Sequence, residues 1–234
     1  MLRKHCLGPL AGAAAFMLGG SALAAPLGAP PYSARGQEPG WSLTILQDRT
    51  VLQKASGERL EAQTPKPRRT GKRTRYDLSL GGRSSRIAIE QRLCHDTMSG
   101  MPHPDRVAIF GLGEVLRGCG GLPRSLLGTH EWAVTRIAGK RVIAGSKPAL
   151  QFLEDGVVVG NASCNRLRAP FKLTGEGLSF GPGATARMAC EQRLMDQERS
   201  LLRELEGVTG FDIQRNGSLV LKGKDGEALA ARRR

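Results

Sequence analysis

The sequence predicts an α+β protein made of two β-rich domains, the second of which carries one helix at about residues 187–206. Short stretches of alternating apolar and polar residues recur along the chain between Gly- and Asn-containing turns, a pattern typical of antiparallel strands and hairpins. Residues 187–206 differ, because they lack Gly and Pro and repeat apolar residues at helical spacing. Aromatic residues make up 4% of the chain, so we expect aliphatic cores.

Residues 1–24 have the pattern of a secretory signal peptide. Arg3 and Lys4 precede an apolar stretch at 7–23, and Ala22-Leu23-Ala24 supplies small residues at a cleavage site. A retained membrane helix is the rival interpretation, but this stretch is at the short limit for a span. We therefore expect export to the periplasm or cell envelope, and no transmembrane segment in the mature chain.

Composition divides the remaining chain. Residues 25–35 are rich in Pro, Gly and Ala, which predicts a flexible leader. Alternating strands follow, which predicts an N-terminal β-rich domain over 36–122. The Gly-rich stretch 120–124 interrupts the alternation, so we expect a linker at 123–130 and a second domain at 131–230.

Turn residues place the strands of the first domain. Gly81-Gly82 separates two alternating stretches, and the sequence at 111–114 separates two more, as in β-hairpins. The predicted strands are 40–46, 76–80, 86–90, 107–110 and 115–119.

The second domain shows the same organisation, with hairpin turns at 154–156, 174–177 and 216–217. The predicted strands are 132–137, 149–153, 157–159, 171–173, 178–180, 211–213 and 219–221.

The predicted helix carries an apolar face. Met188, Met195 and Leu202 lie seven residues apart, which places them on one side of a helix. Thr185 is a candidate N-terminal cap, and Gly207 a candidate end. We expect the methionines to pack in the core rather than bind a cofactor.

Four cysteines remain after removal of Cys6 with the signal peptide, and an even number in an exported chain favours disulfides. Three pairings are possible. We predict the local one, Cys94–Cys119 and Cys164–Cys190, which places one bridge in each half. A metal site that combines Cys94 and Cys119 with nearby His and Asp residues, and a free or redox-active thiol, are the alternatives.

A run of basic residues at 66–75 is the main charged feature of a chain with a formal net charge of +14. Such a run attracts anions, and phospholipid head groups, lipopolysaccharide phosphates and acidic polymers are the anions of a cell envelope. The rival interpretation is a solvated, disordered loop. The compartment and the lack of neighbouring aromatics argue against nucleic acid. The candidate anion-binding residues are Lys66, Arg68, Arg69, Lys72, Arg73 and Arg75.

Catalytic motifs are weak. His95 adjoins Asp96, with Ser99 nearby, and this is the single hydrolase-like cluster. The sequence has no G-x-S-x-G, P-loop or dinucleotide-binding motif. We therefore expect a non-enzymatic protein without a cofactor or metal. A thiol-dependent or His95-assisted hydrolase, and an inhibitor of an attacking enzyme such as a lysozyme, are the alternatives.

The second half resembles the META domain (HslJ-like) family over about residues 130–230. The resemblance depends on Trp132, the Leu150–Phe152 strand, the Gly-Asn-Ala-Ser-Cys-Asn-Arg stretch at 160–166, Met188-Ala189-Cys190 and the leucine-rich helix. Ser163 stands where the family usually has Gly. The motif residues are Trp132, Gly160, Asn161, Cys164, Asn165, Arg166, Met188 and Cys190.

The META resemblance implies a curved antiparallel sheet packed against a helix, and an association with stress and the cell envelope. It implies no reaction. The first half is similar to a less studied family of bacterial envelope proteins, on Cys94-His95-Asp96-Thr97-Met98-Ser99-Gly100 and Gly118-Cys119-Gly120-Gly121. We therefore predict an exported protein that binds an anionic envelope component or a protein partner; the sequence leaves its oligomeric state open.

Overall fold

The computed structural model describes residues 26–128, 130–186 and 188–234, so the predicted signal peptide lies outside the described residues. Two large antiparallel sheets, one in each half of the chain, account for most of this structure. The prediction of an α+β, β-rich protein is confirmed, including the helix against the C-terminal sheet.

The N-terminal sheet has nine strands in the order β4-β3-β2-β1-β11-β10-β7-β6-β5. Each strand pairs antiparallel with its neighbours, and β11 pairs with β1, so the sheet joins its first and last large strands. The strands are β1 (Tyr32–Gln37), β2 (Gly40–Ile45), β3 (Arg49–Lys54), β4 (Arg59–Gln63), β5 (Arg68–Thr70), β6 (Arg73–Leu80), β7 (Arg83–Glu90), β10 (Asp105–Phe110) and β11 (Leu116–Gly120).

Alternation along these strands separates a buried face from an exposed one, because successive side chains of a strand point to opposite faces. The buried face forms an aliphatic core around Tyr76 and Trp41. The sheet is strongly curved: β4 contacts β6, and Glu58 beside β4 forms an ion pair of 3.3 Å with Arg83 of β7. The opposite face is therefore the outside of a nearly closed sheet.

The predicted flexible leader, 25–35, is wrong for its last four residues. Residues Tyr32–Arg35 belong to β1 and pair with both β2 and β11. Upstream, the carbonyl oxygen of Gly28 accepts a hydrogen bond of 2.7 Å from the Tyr76 hydroxyl. A Pro- and Gly-rich composition predicted mobility here, but pairing with distant strands holds the segment in place.

A small hairpin, β8 (Cys94–His95) and β9 (Pro102–His103), leaves the N-terminal sheet and contacts strand β19 (Val208–Ile213) of the C-terminal half. Its loop carries Met101, which is 4% exposed and belongs to the core of the C-terminal half. The two halves therefore share core packing.

The C-terminal sheet has the strand order β17-β16-β15-β14-β12-β21-β20-β19, and β17 contacts β19, so this sheet is also curved upon itself. The remaining strands are β12 (Glu131–Ile137), β13 (Lys140–Arg141), β14 (Ala149–Phe152), β15 (Val157–Asn161), β16 (Arg166–Leu173), β17 (Leu178–Phe180), β18 (Ala184–Thr185), β20 (Leu219–Gly223) and β21 (Gly226–Arg233). The three hairpins predicted for this half are confirmed.

Two helices occur among the described residues: a single turn, α1 (Arg124–Leu127), and α2 (Gln192–Glu206). Helix α2 buries Leu201 and Leu205 against the sheet. It begins five residues later than the predicted 187, because Cys190 is joined to Cys164, and Thr185 of β18 is paired with Leu167 of β16. Both contacts hold residues before Gln192 in positions that a helix starting at 187 would not allow.

Cys190 therefore precedes the helix instead of lying in its first turn. The prediction that Met188 packs in the core is wrong, since 57% of this residue is exposed.

Candidate functional site

A cleft of about 1140 Å³ lies on the outer face of the N-terminal sheet, across strands β1, β11, β10, β7, β6 and β5. Arginines dominate its lining, and three acidic residues, Glu38, Glu90 and Asp96, accompany them. The lining arginines are Arg35, Arg68, Arg73, Arg75, Arg92, Arg106 and Arg117.

Strand alternation brings these arginines to one face. In β10, for example, Val107 and Ile109 are buried in the core, while Arg106 and Ala108 face the cleft. The bottom of the cleft includes the small side chains of Ala88 and Ala108. Long cationic side chains around short apolar ones create the depression.

Most of the positive charge in the cleft is uncompensated. Arg73 forms an ion pair of 3.3 Å with Glu90, and Arg75 one of 2.8 Å with Asp77. Within the described ranges, the other five lining arginines have no ion pair with a carboxylate. These five are Arg35, Arg68, Arg92, Arg106 and Arg117.

The predicted basic run contributes half of its members to the cleft. Arg68, Arg73 and Arg75 line it, whereas Lys66, Arg69 and Lys72 are not among the lining residues. The alternative of a disordered loop is wrong for residues 68–75, because they form the β5–β6 hairpin, in which Arg68 pairs with Arg75 and Thr70 with Arg73.

Sequence reasoning missed the other four arginines of the cleft, which lie on or beside β1, β7, β10 and β11. Their signal in the sequence is weak: each occupies a polar position next to apolar ones. They come together through strand pairings that join distant parts of the chain, such as β1 with β11. The missed residues are Arg35, Arg92, Arg106 and Arg117.

The β8–β9 hairpin closes one end of the cleft. The Cys94–Cys119 disulfide, with Cα atoms 5.5 Å apart, attaches this hairpin to β11. Asp96 fixes the following turn: it accepts hydrogen bonds from the Met98 and Ser99 amides at 3.0 and 2.9 Å, from the Ser99 hydroxyl at 3.0 Å and from Gln37 at 2.9 Å.

The charge of Asp96 is set by these bonds. Burial favours a raised pKa, but the hydrogen bonds from Ser99, Gln37 and Met98 outweigh it and lower the pKa of Asp96 to about 2. A carboxylate with this hydrogen-bond pattern organises a turn, which explains the spacing of Asp96, Met98 and Ser99 in the sequence.

The hydrolase-like cluster predicted at His95, Asp96 and Ser99 is not assembled as a relay. The Ser99 hydroxyl donates to Asp96 at 3.0 Å. The partner of His95 is instead Asp212 of β19, with Nε2 and Oδ1 2.8 Å apart. A nucleophile must be hydrogen-bonded to its base for this chemistry, and Ser99 is directed to the turn carboxylate.

Both predicted disulfides are confirmed, so the four cysteines have no free thiol in this structure. In the part of the chain that the structure describes, no group of three or more His, Cys, Asp or Glu side chains is arranged to hold a metal ion. The cysteines of the alternative metal site, Cys94 and Cys119, are bonded to each other.

The Gly36-to-Trp41 segment and the Gly118-to-Gly121 segment are both tightly packed. A Cβ atom at Gly120 would lie 2.2 Å from the hydroxyl oxygen of Tyr32. That hydroxyl donates a hydrogen bond of 3.1 Å to Asp105, which is buried. The glycine leaves room for a buried polar pair beside the end of the sheet.

The motif of the C-terminal half organises the chain before α2. The Asn165 backbone amide and side-chain amide donate to Glu198 of α2 at 2.8 and 3.0 Å. The Asn165 side-chain oxygen accepts a bond of 2.9 Å from the Met188 amide. Cys164–Cys190 lies alongside, with Cα atoms 6.0 Å apart. This motif is therefore a structural junction between sheet and helix.

The remaining motif residues also have structural contacts. Trp132 is buried and donates to the carbonyl oxygen of Leu127 at 2.7 Å. The side chain of Asn161 accepts from the Ser163 amide at 2.7 Å. A Cβ atom at Gly160 would lie 1.9 Å from the carbonyl oxygen of Ala149, so the strands approach too closely for a larger residue.

A second cleft, of about 810 Å³, lies on the exposed face of the C-terminal sheet. Gly160, Asn161 and Arg166 line it, together with Arg168 and Arg234. Arg234 is engaged by Glu131, and Arg168 by Asp155 at 4.0 Å. Its charge is therefore more compensated than that of the first cleft.

None of the helices among residues 26–128, 130–186 and 188–234 has both the length and the apolar character needed to cross a membrane.

The comparisons with known proteins identify the C-terminal half. The META domain model matches residues 125–234, which confirms the resemblance predicted for this half from its motif. This domain is associated with stress-related envelope proteins, and together with the two disulfides it is consistent with a location outside the cytoplasm. The family resemblance of the N-terminal half stays a prediction.

No curated protein matches the chain. Among solved structures, the chain is similar to "NMR structure of the protein from Burkholderia xenovorans", with 24% identity over 47% of this chain and 85% of that one, and a TM-score of 0.40. A second NMR structure has 24% identity over 48% of this chain and 94% of its own, with a TM-score of 0.39.

Proposed function

We propose that this protein is an exported, non-enzymatic envelope protein whose N-terminal cleft binds an anionic envelope component. One observation carries the proposal: seven arginines and three acidic residues line the same depression. The META domain adds the association with stress and the envelope.

The state of the arginines favours a ligand. Guanidinium groups donate hydrogen bonds in a planar fork that matches carboxylate and phosphate oxygens. Arg35, Arg106 and Arg117 have no carboxylate partner in the described structure, so an incoming anion does not first have to displace one. The shared field of the cleft also raises the local concentration of anions.

The same lining argues against nucleic acid and against catalysis. Phe110 is the one Phe, Tyr or Trp among the lining residues, whereas binding of single strands uses several aromatic faces. The cysteine sulfurs of the cleft form a disulfide. The Asp96 carboxylate accepts hydrogen bonds from the turn that follows it. These features support binding as the activity of the site.

Binding to anionic probes tests the proposal. The mature wild-type protein is measured against vesicles of phosphatidylglycerol and phosphatidylcholine, against vesicles of phosphatidylcholine alone, and against inorganic triphosphate. We expect binding to the anionic probes, weakened by salt. The cleft variant replaces Arg68, Arg106 and Arg117 by Gln and should lose most of this binding.

The matched control replaces Arg49, Arg141 and Arg215 by Gln. These arginines are exposed and lie outside the cleft, and their replacement changes the net charge by the same amount. If the two triple variants bind anionic probes equally, binding follows total charge alone and the proposal is wrong.

A further inference from the structure

The register of the N-terminal sheet aligns five cleft residues across five neighbouring strands. Arg117 of β11 is paired with Ala108 of β10, and Ala108 with Ala88 of β7. Ala88 is paired with Arg75 of β6, and Arg75 with Arg68 of β5. We call this set the cross-strand row: an arginine at one end, two alanines in the middle and two arginines at the other end.

The geometry of a sheet sets the span of this row. Neighbouring strands are about 4.8 Å apart, so the Cα atoms of Arg117 and Arg75 are separated by about 14 Å across three strand spacings. The alanine methyl groups between them are short and apolar. A ligand that crosses the row therefore meets a cation at each end and an apolar surface between them.

The charges next to the row restrict where an anion binds. Glu90 lies two residues after Ala88, on the same face of β7, and is engaged by Arg73 at 3.3 Å. Its carboxylate offsets the charge of Arg73 beside the middle of the row. Arg117 and Arg68, at the outer ends, have no carboxylate partner within the described residues, so each end offers an unpaired guanidinium to an anion.

We propose that the cleft recognises a small, elongated molecule with a phosphate group at each end and an apolar or neutral middle. Its two anionic groups lie roughly 10 Å apart, the spacing expected when the arginines at the two ends of the row reach towards the bound ligand. Phosphate suits both ends, because its oxygens accept paired hydrogen bonds from guanidinium. This inference rests on the proposed anion-binding function of the cleft.

Alkanediol bisphosphates of different lengths test this ligand class directly by calorimetry with the full mature protein. The probes are propane-1,3-diol, hexane-1,6-diol and decane-1,10-diol bisphosphate, with hexyl phosphate as the single-ended comparison. We expect the six-carbon compound to bind best, about tenfold or more tighter than hexyl phosphate, because the second charge-assisted contact is added without a second binding event.

Three variants assign the binding to the row. Arg117→Gln and Arg68→Gln remove one end each and should each reduce the affinity for the six-carbon probe about tenfold, towards that of hexyl phosphate. Arg141→Gln, an exposed arginine of the other half, removes the same charge and should leave the affinity unchanged. Ala108→Leu retains all charges but places a larger side chain in the middle of the row. It should weaken binding of the six-carbon probe while triphosphate still binds.

The failures of the two proposals are distinguishable. If affinity does not depend on probe length, while the triple cleft variant still loses binding to triphosphate, the two-ended ligand is wrong and the anion-binding function stands. If the cleft variants and Arg141→Gln behave alike with every probe, both proposals are wrong.

Discussion

Nε2 of His95 lies 2.8 Å from Oδ1 of Asp212, so a hydrogen bond joins the β8–β9 hairpin of the N-terminal half to the C-terminal sheet. Asp212 also accepts from Lys222 at 3.1 Å. Burial favours a raised pKa for Asp212, but the bonds from His95 and Lys222 outweigh it and lower the pKa. The carboxylate thus connects side chains from both halves, beside the point where Met101 enters the C-terminal core.

Replacement of Met101 by Ala should destabilise the C-terminal half. Met101 is 4% exposed among residues of that core, and loss of a buried methionine side chain costs about 2–5 kcal/mol. Urea unfolding measures the change. Met98→Ala is the matched control, because Met98 lies in the same loop but is 80% exposed, and its replacement should change stability by less than about 0.5 kcal/mol. Equal effects of the two variants would contradict the shared core.

Loss of the Cys164–Cys190 bridge should lower the free energy of unfolding by about 3.5 kcal/mol on the chain-entropy model. The bridge spans 26 residues and attaches Cys190, just before α2, to Cys164. The variant replaces both cysteines by Ala, so that no free thiol is created. Denaturant unfolding under non-reducing conditions measures the change. An unaltered midpoint would show that Asn165 and its hydrogen bonds hold this segment without the disulfide.

Glu198→Gln should destabilise the protein by about 1–3 kcal/mol, since one of the two buried Asn165 donors would face an amide donor instead of an oxygen. Glu198 is 7% exposed. Glu206→Gln, on the exposed end of the same helix, makes the same chemical change away from Asn165 and should have little effect. Thermal unfolding of the two variants side by side distinguishes the buried contact from a general loss of charge.

Asp105 should make stability depend on pH between about 4 and 6. Burial raises the pKa of Asp105 from 3.8 to about 6, against the lowering effect of the Tyr32 hydrogen bond. The folded protein therefore holds a proton that the unfolded chain releases. The contribution of the Asp105 proton to the free energy of unfolding is fully present below about pH 4. It falls as the pH rises and is lost above about pH 6.

The variant Asp105→Asn removes this titration. Burial lowers the pKa of His103 and of His130, so these histidines add stability as the pH rises and oppose the effect of Asp105. The quantity to compare is therefore the difference in unfolding free energy between the variant and the wild type. From pH 4 to pH 7 this difference should shift by about 1–3 kcal/mol in favour of the variant. Asp225→Asn, in an exposed turn, should show no such shift in urea unfolding.

Local turns were predictable from the sequence, whereas contacts between distant segments were not. Asn216-Gly217 and Gly81-Gly82 each join the expected strands, because such turn residues determine hairpins locally. The predicted start of α2 was wrong: the apolar spacing of Met188 with Met195 is helical, but the Met188 amide is hydrogen-bonded to Asn165 and the helix begins later. Tertiary contacts overrode local preference.

The cleft shows the same division. The basic run around Arg68 and Arg75 was visible as a charge cluster, and it supplies one side of the site. Arg117 comes from the other end of the domain and reaches the row because β11 inserts between β1 and β10. A single exposed arginine in a strand carries no local signal of this kind, so the paired arrangement follows from topology.

Because Met101 packs in the C-terminal core, the segment that matches the family model is not the same as the segment that forms this core. Residues 125–234 match the META domain model, yet a side chain encoded upstream of that segment completes the interior. A fragment that starts at residue 125 would lack the Met101 side chain and would have a cavity in its core. A chimera that transplants this module therefore needs to bring the 94–103 hairpin with it, or a bulkier neighbour that fills the gap.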